Sequence, residues 1–131
     1  MQHVATKRRV LVVDDDPQVR HAIARTLSPD FDVLQADSYA EALGLLSNET
    51  KIHAVVCDYN LGRGPTGANL LEKVRERLPQ ARRVLTSAQV AKDVGDQHVQ
   101  SGLIHVFLEK PWTLDALRAA VRADTMVVSD I

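Results

Sequence analysis

The chain alternates short apolar runs with stretches whose apolar residues recur at helical spacing, and this alternation limits its fold more than any other feature. The runs are RVLVV, FDVLQA, HAVVCD, RRVLTS and IHVFLE, and each is followed by a segment with a period near 3.6 residues. Strands that alternate with helices pair in parallel, because each helix carries the chain back across the sheet. The pattern predicts an α/β fold of five parallel strands flanked by five helices.

The composition of the strands indicates their order in the sheet. The first, third and fourth runs are almost continuously apolar, as in strands buried on both faces, whereas FDVLQA alternates apolar and polar residues as an edge strand does. The order 2-1-3-4-5, the doubly wound arrangement of flavodoxin-like proteins, satisfies this pattern. In that order a ligand crevice lies beyond the carboxyl ends of the first and third strands, where the chain order reverses.

Capping and breaking residues predict where the helices begin and end. Asp16 is expected to cap the first helix with Pro17 at its first position, and Ser38 to Glu41 to form a capping box for the second. The third begins after Gly67, and the fourth runs roughly from Val90 to Gln100 with weak periodicity. The residues expected to face the core are Val19, Ala22, Ile23 and Leu27 in the first helix and Leu114, Leu117, Ala120 and Val121 in the fifth, which begins at Thr113.

Length and composition limit the function classes. The 131 residues predict a single domain over 1–131, with a core at about 7–124 between short tails. A formal net charge of -1 gives no electrostatic footprint for nucleic acid, and no segment approaches membrane-spanning length, so we expect neither direct nucleic-acid binding nor a membrane role. Cys57, the only cysteine, lies in an apolar run and is expected to be a small buried side chain in a cytoplasmic protein.

Carboxylates follow two of the strands that border the predicted crevice. Asp14 and Asp15 end the first strand, and Asp58 ends the third. Three carboxylates that converge on one crevice repel one another unless a cation compensates them. Mg²⁺ suits such a site, because it takes oxygen ligands and is usually held by one or two carboxylates together with phosphate oxygens. Asp16 stands directly before Pro17, so its expected role is to cap the helix.

The remaining strand ends supply groups that complement the carboxylates. Thr86 offers a hydroxyl after the fourth strand, and Lys110 offers an ammonium after the fifth. Three acids, a hydroxyl and an amine form a set suited to phosphoryl transfer. In such a set one carboxylate acts as nucleophile and forms an acyl phosphate, while cationic groups neutralise the phosphoryl oxygens.

The motifs RVLVVDDDP, VVCDYNL, VLTS and FLEKPW together resemble the receiver domain of bacterial two-component response regulators. The resemblance covers nearly the whole chain and implies a phosphoprotein that takes a phosphoryl group from a histidine kinase or phosphotransfer protein. The family's acidic pair falls on Asp14 and Asp15, with Asp15 the direct Mg²⁺ ligand, and its phosphoacceptor falls on Asp58. The backbone carbonyl of Asn60 would complete the protein's metal ligands, and Mn²⁺ is the alternative ion.

The resemblance also implies a conformational switch. The switch hydroxyl matches Thr86, Phe107 stands in place of the switch aromatic, and Lys110 with Pro111 matches the family's cis peptide bond. The surface of the fourth helix, fifth strand and fifth helix commonly meets a downstream partner or a second copy in this family, and Trp112 is expected to border it. The family implies a signalling protein that catalyses only its own phosphorylation and dephosphorylation, and is therefore not an enzyme.

Three other interpretations of the motifs have to be weighed. Gly62, Gly64 and Gly67 spell the dinucleotide-binding pattern G-x-G-x-x-G, but YNL separates them from Asp58, and no acidic residue ends the next strand. We therefore interpret these glycines as turn formers. A phosphohydrolase of the haloacid dehalogenase kind would use the pair Asp14-x-Asp16, and a pseudo-receiver would keep the fold without being phosphorylated.

Overall fold

The computed structural model describes residues 7–48, 51–88 and 92–123, which form one five-stranded parallel sheet with helices on both faces. The strand order is 2-1-3-4-5, as the sequence predicts. The strands are β1 (Arg8–Val13), β2 (Phe31–Ala36), β3 (Ala54–Asp58), β4 (Arg82–Ser87) and β5 (Val106–Glu109). The helices are α1 (Pro17–Leu27), α2 (Tyr39–Asn48), α3 (Gly67–Arg77), α4 (Lys92–Gln100) and α5 (Leu114–Arg122).

The register of the sheet brings the polar ends of its strands to one edge. β1 lies between β2 and β3, with Val13 opposite both Ala36 and Cys57. Asp58 at the end of β3 lies opposite Thr86 of β4. Every residue of β3 is buried, whereas β2 at the edge is partly exposed. The carboxyl ends of β1, β3 and β4 therefore open together beside the point where the chain order reverses.

Two apolar clusters cover the two faces of the sheet. One joins α2 and α3 to alternate residues of the strands and includes Cys57, which is fully buried as predicted. The other joins α1 and α5 to the opposite face and includes Leu27 and Leu117. These buried faces supply the main favourable term in folding, at about 25 cal/mol for each Å² of apolar surface removed from water. Along the part of the chain described, no helix is both long and apolar enough to cross a membrane.

Two residues predicted to face the core lie elsewhere. Ala22 is exposed, and the buried alanine of α1 is Ala24. Leu114, in the first turn of α5, is 54% exposed. Both residues line an open groove of about 400 Å³ between α1 and the start of α5, which explains why helical spacing alone misplaced them. The predicted start of the fourth helix at Val90 lies outside the described residues.

The helix caps follow the sequence signals with two differences. The Asp16 carboxylate accepts a hydrogen bond from the Gln18 N–H at 2.9 Å, which confirms it as the cap of α1. In the box predicted for α2, the Ser38 hydroxyl accepts from the Glu41 N–H at 3.1 Å, but the Glu41 carboxylate accepts from Asp37 N–H and not from that of Ser38. A capping box that we did not predict, between Thr66 and Asn69, begins α3.

Candidate functional site

Three carboxylates meet at the carboxyl ends of β1 and β3. One oxygen of each of Asp14, Asp15 and Asp58 lies within 4.8 Å of the others. Asp14 and Asp58 are 1% and 8% exposed, whereas Asp15 is exposed. The sheet order causes this meeting, because β1 and β3 are parallel neighbours, Asp14 directly follows β1 and Asp58 ends β3. The structure thus brings together the three acids that the sequence singled out.

Lys110 is the cation nearest to these buried carboxylates among the described residues. Its Nζ lies 3.6 Å from Oδ2 of Asp14 and 3.6 Å from Oδ2 of Asp58. Its backbone N–H donates to the Ser87 carbonyl at 2.9 Å, and its peptide bond to Pro111 is cis, as the resemblance implied. At 3.6 Å the ammonium compensates both charges without a normal hydrogen bond to either, since such bonds measure about 2.7–2.9 Å.

The electrostatics of the site favour a bound cation. Burial, followed by the charge of Asp14, raises the pKa of Asp58 from 3.8 to about 6, against the opposing effects of Lys110 and a hydrogen bond from the Asn60 backbone. Burial also raises the pKa of Asp14, against the Asp16 N–H and Lys110. One lysine therefore leaves part of the negative charge uncompensated. A cation between the carboxylates would supply the missing charge.

Two buried polar atoms of the site have no hydrogen-bond partner within the described residues. They are Oδ2 of Asp14 and Oγ1 of Thr86, and the Thr86 side chain is fully buried. A buried polar atom without a partner costs about 1–3 kcal/mol, so native structures leave few of them. An unpartnered carboxylate oxygen suits a hard cation, and an unpartnered hydroxyl suits an oxyanion. The residues present therefore fit a divalent cation beside a phosphoryl group.

The glycine loop after β3 shapes the rim of the site. Gly62 and Gly64 have positive φ angles of 89° and 93°, so both are turn formers, as predicted. Gly67 is different, because a Cβ built on it would lie 2.1 Å from the Asp58 carbonyl oxygen. Its N–H donates to the Tyr59 carbonyl at 2.7 Å, so it is not free to cradle a phosphate as in a dinucleotide-binding turn. Gly67 allows α3 to approach the backbone of the phosphoacceptor candidate.

The aromatic residues predicted near the switch lie on opposite faces of the sheet. Phe107 belongs to the cluster covered by α2 and α3, and its ring packs on Gly95 of α4. Trp112 belongs to the cluster of α1 and α5 and lines the groove between those helices. The structure therefore turns Trp112 toward α1, whereas we expected it beside the surface of α4, β5 and α5. Lys110 Nζ lies 5.8 Å from the centre of the Trp112 ring, which links this residue to the acidic site.

Sequence reasoning missed one residue that contacts the site. Arg20 of α1 donates from its guanidinium to the carbonyl oxygen of Asp14 at 2.9 Å. The sequence carries no signal for this contact, because an arginine on a helix surface is ordinarily solvated and its long side chain reaches in many directions. The capping box of Thr66 and Asn69, by contrast, was readable as a threonine followed three residues later by an amide.

Comparisons with known proteins agree with this geometry. The family model of the response regulator receiver domain matches residues 10–122. The hydrogenase transcriptional regulatory protein HoxA of Cupriavidus necator is 35% identical over 118 residues, which are 87% of this chain and 24% of that protein. The chain spans about a quarter of the length of the curated relatives it matches.

Solved structures share the fold. A receiver domain protein of Methanospirillum hungatei, described as CheY-like, has a TM-score of 0.80 at 21% identity, covering 89% of this chain and 92% of that one. A response regulator protein of Burkholderia pseudomallei, solved with a phosphorylated aspartic acid, a calcium ion and citrate, has a TM-score of 0.78 at 28% identity. That match covers 88% of this chain and 66% of the Burkholderia chain.

Proposed function

The chain belongs to the response regulator receiver domain family, and on that premise we propose that Asp58 accepts a phosphoryl group from the phosphohistidine of a histidine kinase or phosphotransfer protein. The observation that carries this proposal is the convergence of Asp14, Asp15 and Asp58 with Lys110, where Oδ2 of Asp14 and Oγ1 of Thr86 have no hydrogen-bond partner in the described parts of the chain. A phosphorylated aspartate in the Burkholderia relative supports it.

The reaction assigns a separate role to each side chain. An ionised Asp58 oxygen attacks phosphorus, the P–N bond to histidine breaks as the P–O bond forms, and the imidazole leaves with the bonding electron pair and takes up a proton. Lys110, already near Oδ2 of Asp58, neutralises one phosphoryl oxygen. The Thr86 hydroxyl donates to another and thereby gains the partner that it lacks.

Receiver domains bind a divalent metal at their acidic pocket, and the cluster of Asp14, Asp15 and Asp58 fits one. We assign Mg²⁺ to this pocket, with Mn²⁺ as a substitute, and the backbone carbonyl of Asn60 as a further ligand. The bound ion would neutralise phosphoryl oxygens and lower the repulsion among the three carboxylates. The chain's own contribution is to hold the acids on two fixed strand ends before the ion arrives.

Phosphorylation would change the surface that a partner meets. Thr86 lies in β4 and contributes its hydroxyl to the site. Phe107 lies on the neighbouring strand β5 and contacts α4. We place the output on the surface of α4, β5 and α5, through a downstream protein or a second copy of the chain. The curated relatives are about four times longer than this chain, so we limit this proposal to the receiver domain itself.

Mass spectrometry of the intact protein tests the assignment of Asp58. The protein is incubated with Mg²⁺ and acetyl phosphate, a small phosphodonor, and a mass gain of one phosphate is expected. Asp58→Asn should abolish the gain, because an amide cannot form an acyl phosphate. Asp16→Asn is the matched control, and it should keep the gain because Asp16 only caps α1. Retention in Asp58→Asn would contradict the proposal.

Phosphate release and the same mass measurement distinguish the receiver from the two alternatives, a phosphohydrolase and a pseudo-receiver. A haloacid dehalogenase-like phosphohydrolase would release phosphate continuously from many phosphate esters and would lose activity in Asp16→Asn. A pseudo-receiver would show no mass gain with any donor, including a phosphorylated histidine kinase. Loss of the gain in Asp58→Asn alone favours the receiver.

A further inference from the structure

Arg20 ties three elements together beside the acidic pair. Its NH1 donates to the Asp14 carbonyl at 2.9 Å, and its Nε donates to Oε1 of Gln35 in β2 at 3.2 Å. The arginine itself belongs to α1, and Asp14 directly follows β1. One side chain therefore joins the first helix, the end of the central strand and the edge strand.

The other contacts of Asp14 show why this tie affects the site. Its backbone N–H donates to the Ala36 carbonyl at 3.2 Å, and its Oδ1 accepts from the Asp16 N–H at 2.9 Å. With the Arg20 contact, three of the four polar atoms of Asp14 have hydrogen-bond partners within the described residues, and Oδ2 has only its ion pair with Lys110 at 3.6 Å. Among the hydrogen bonds named here, the one from Arg20 is donated by a side chain, so a substitution can remove it.

We propose that Arg20 is a positioning residue for the acidic pair, which sets the affinity of the site for a divalent cation without touching the cation. This inference rests on the proposed function, because it assumes that Asp14 and Asp15 face a metal. If the Asp14 carbonyl is released, the peptide between Asp14 and Asp15 loses its side-chain anchor, and the two carboxylates are held less firmly relative to each other. Replacement of a residue that hydrogen-bonds to a metal ligand without touching the metal commonly lowers the metal affinity by about 10–100-fold.

The two contacts require a guanidinium. Nε and NH1 of one planar group reach acceptors on two different elements, and the fork geometry fixes both bonds at once. A lysine offers a single flexible ammonium, which can reach one acceptor but cannot hold both in a fixed orientation. Arg20→Lys should therefore keep the charge and lose most of the positioning.

The test measures Mg²⁺ binding and phosphorylation separately. Thermal unfolding is followed as Mg²⁺ is titrated, and the initial rate of phosphorylation by acetyl phosphate is measured over the same concentrations. In Arg20→Met the half-saturating Mg²⁺ concentration should rise about tenfold, whereas the phosphorylation rate at saturating Mg²⁺ should stay within about twofold of the parent. Arg20→Lys should show most of this rise, and Gln35→Leu, which removes only the second contact, should show a smaller one.

Arg25→Met is the matched control. Arg25 lies in the same helix and is exposed, and it makes none of the contacts of Arg20, so its removal should leave the Mg²⁺ dependence unchanged. A merely structural role for Arg20 would lower the unfolding temperature without Mg²⁺ and leave the half-saturating concentration as in the parent. That result would overturn the inference.

Failure of the inference can be told apart from failure of the proposed function. If the parent protein neither responds to Mg²⁺ nor gains a phosphate, the proposed function fails and the positioning role fails with it. If the parent does both and Arg20→Met matches it, only the positioning role fails. Should Arg20→Met not fold, as judged by its circular dichroism, Arg20→Lys and Gln35→Leu decide the outcome with the same two measurements.

Discussion

The two ends of the sheet both bury charge, but they treat it in opposite ways. At the carboxyl end, Asp14 and Asp58 are held near one lysine, and two polar atoms there have no hydrogen-bond partner within the described residues. At the amino end, Arg83 at the start of β4 is only 5% exposed. Its guanidinium donates to four carbonyl oxygens, those of Leu103 at 2.7 Å, Ala81 at 3.1 Å, Gly102 at 3.2 Å and Pro79 at 3.3 Å.

This difference indicates that the charge of Arg83 is structural, whereas the charges of the acids at the carboxyl end are functional. Arg83 is satisfied by the protein itself, and its bonds fasten the loop before β4 to the loop before β5. The acids at the other end are left partly unsatisfied, so the groups that would complete them have to come from outside. The hydrogen bonds of Arg83 at the amino end are therefore expected to stabilise the fold. The partly unsatisfied acids at the carboxyl end are expected to lower its stability, and they form a site that can bind a ligand.

Replacement of Arg83 should have the largest effect on stability. Arg83→Met removes the donors to four carbonyls, two of them in hydrogen bonds that are buried, and should lower the free energy of unfolding by about 3 kcal/mol. Urea denaturation measures this change, and phosphorylation of the folded fraction should persist. Arg75→Met is the control, because Arg75 is an exposed cation of α3; the pKa of Arg83 is lowered first by its own burial and then by the charge of Arg75. Equal stability of the two variants would remove the contrast between the ends.

The pH dependence of stability should have opposite signs at the two ends. In metal-free protein the pKa of Asp58 is raised from 3.8 to about 6, so its contribution to stability is present below 3.8 and is lost as pH rises through 6. The maximum loss is about 3 kcal/mol. Asp58→Asn should then be more stable than the parent at pH 7.5 in chelator, and saturating Mg²⁺ should cancel this advantage.

His105 shows the opposite behaviour at the amino end. Burial, followed by the charges of Arg83 and Arg82, lowers its pKa from 6.5 to about 4, while its Nδ1 accepts from the Arg83 N–H at 2.9 Å. The contribution of His105 to the free energy of unfolding is present above pH 6.5. It is lost as the pH falls through 4, and the loss is about 2–3 kcal/mol. His105→Asn keeps an acceptor without titrating, so unfolding curves between pH 4 and 7.5 should show less loss in acid than the parent. Parallel curves would contradict the assignment.

The smallest effect is expected at Thr86. Because its buried hydroxyl has no partner among the described residues, Thr86→Val should raise the free energy of unfolding by about 0.5–1 kcal/mol. Thr66→Val is the matched control, since the Thr66 hydroxyl accepts from the Asn69 N–H and caps α3, and its loss should cost about 1 kcal/mol. Thermal unfolding distinguishes the two. A loss of stability in Thr86→Val would show that the Thr86 hydroxyl is satisfied after all.

The same contrast explains what the sequence could predict. The sheet order and the acids at its carboxyl end were predictable, because period, apolar runs and strand-end residues are local properties of the chain. Arg83 was not, since RRVLTS gives no sign that its second arginine turns inward to carbonyls of the preceding loop and of the loop before β5. The exposure of Ala22 and Leu114 was missed for the same reason, because it depends on a groove between two helices that are far apart in sequence.

Gly95 of α4 limits which helices can replace α4 in a chimera of two receiver domains. A Cβ there would lie 2.4 Å from two ring atoms of Phe107, so the ring occupies the space that any other residue at position 95 would fill. Alanine, which helices normally prefer to glycine, would therefore require the Phe107 ring of β5 to shift. Helix α4 is thus not an independent module: a chimera that takes α4 from another receiver domain has to take the matching aromatic position of β5 with it.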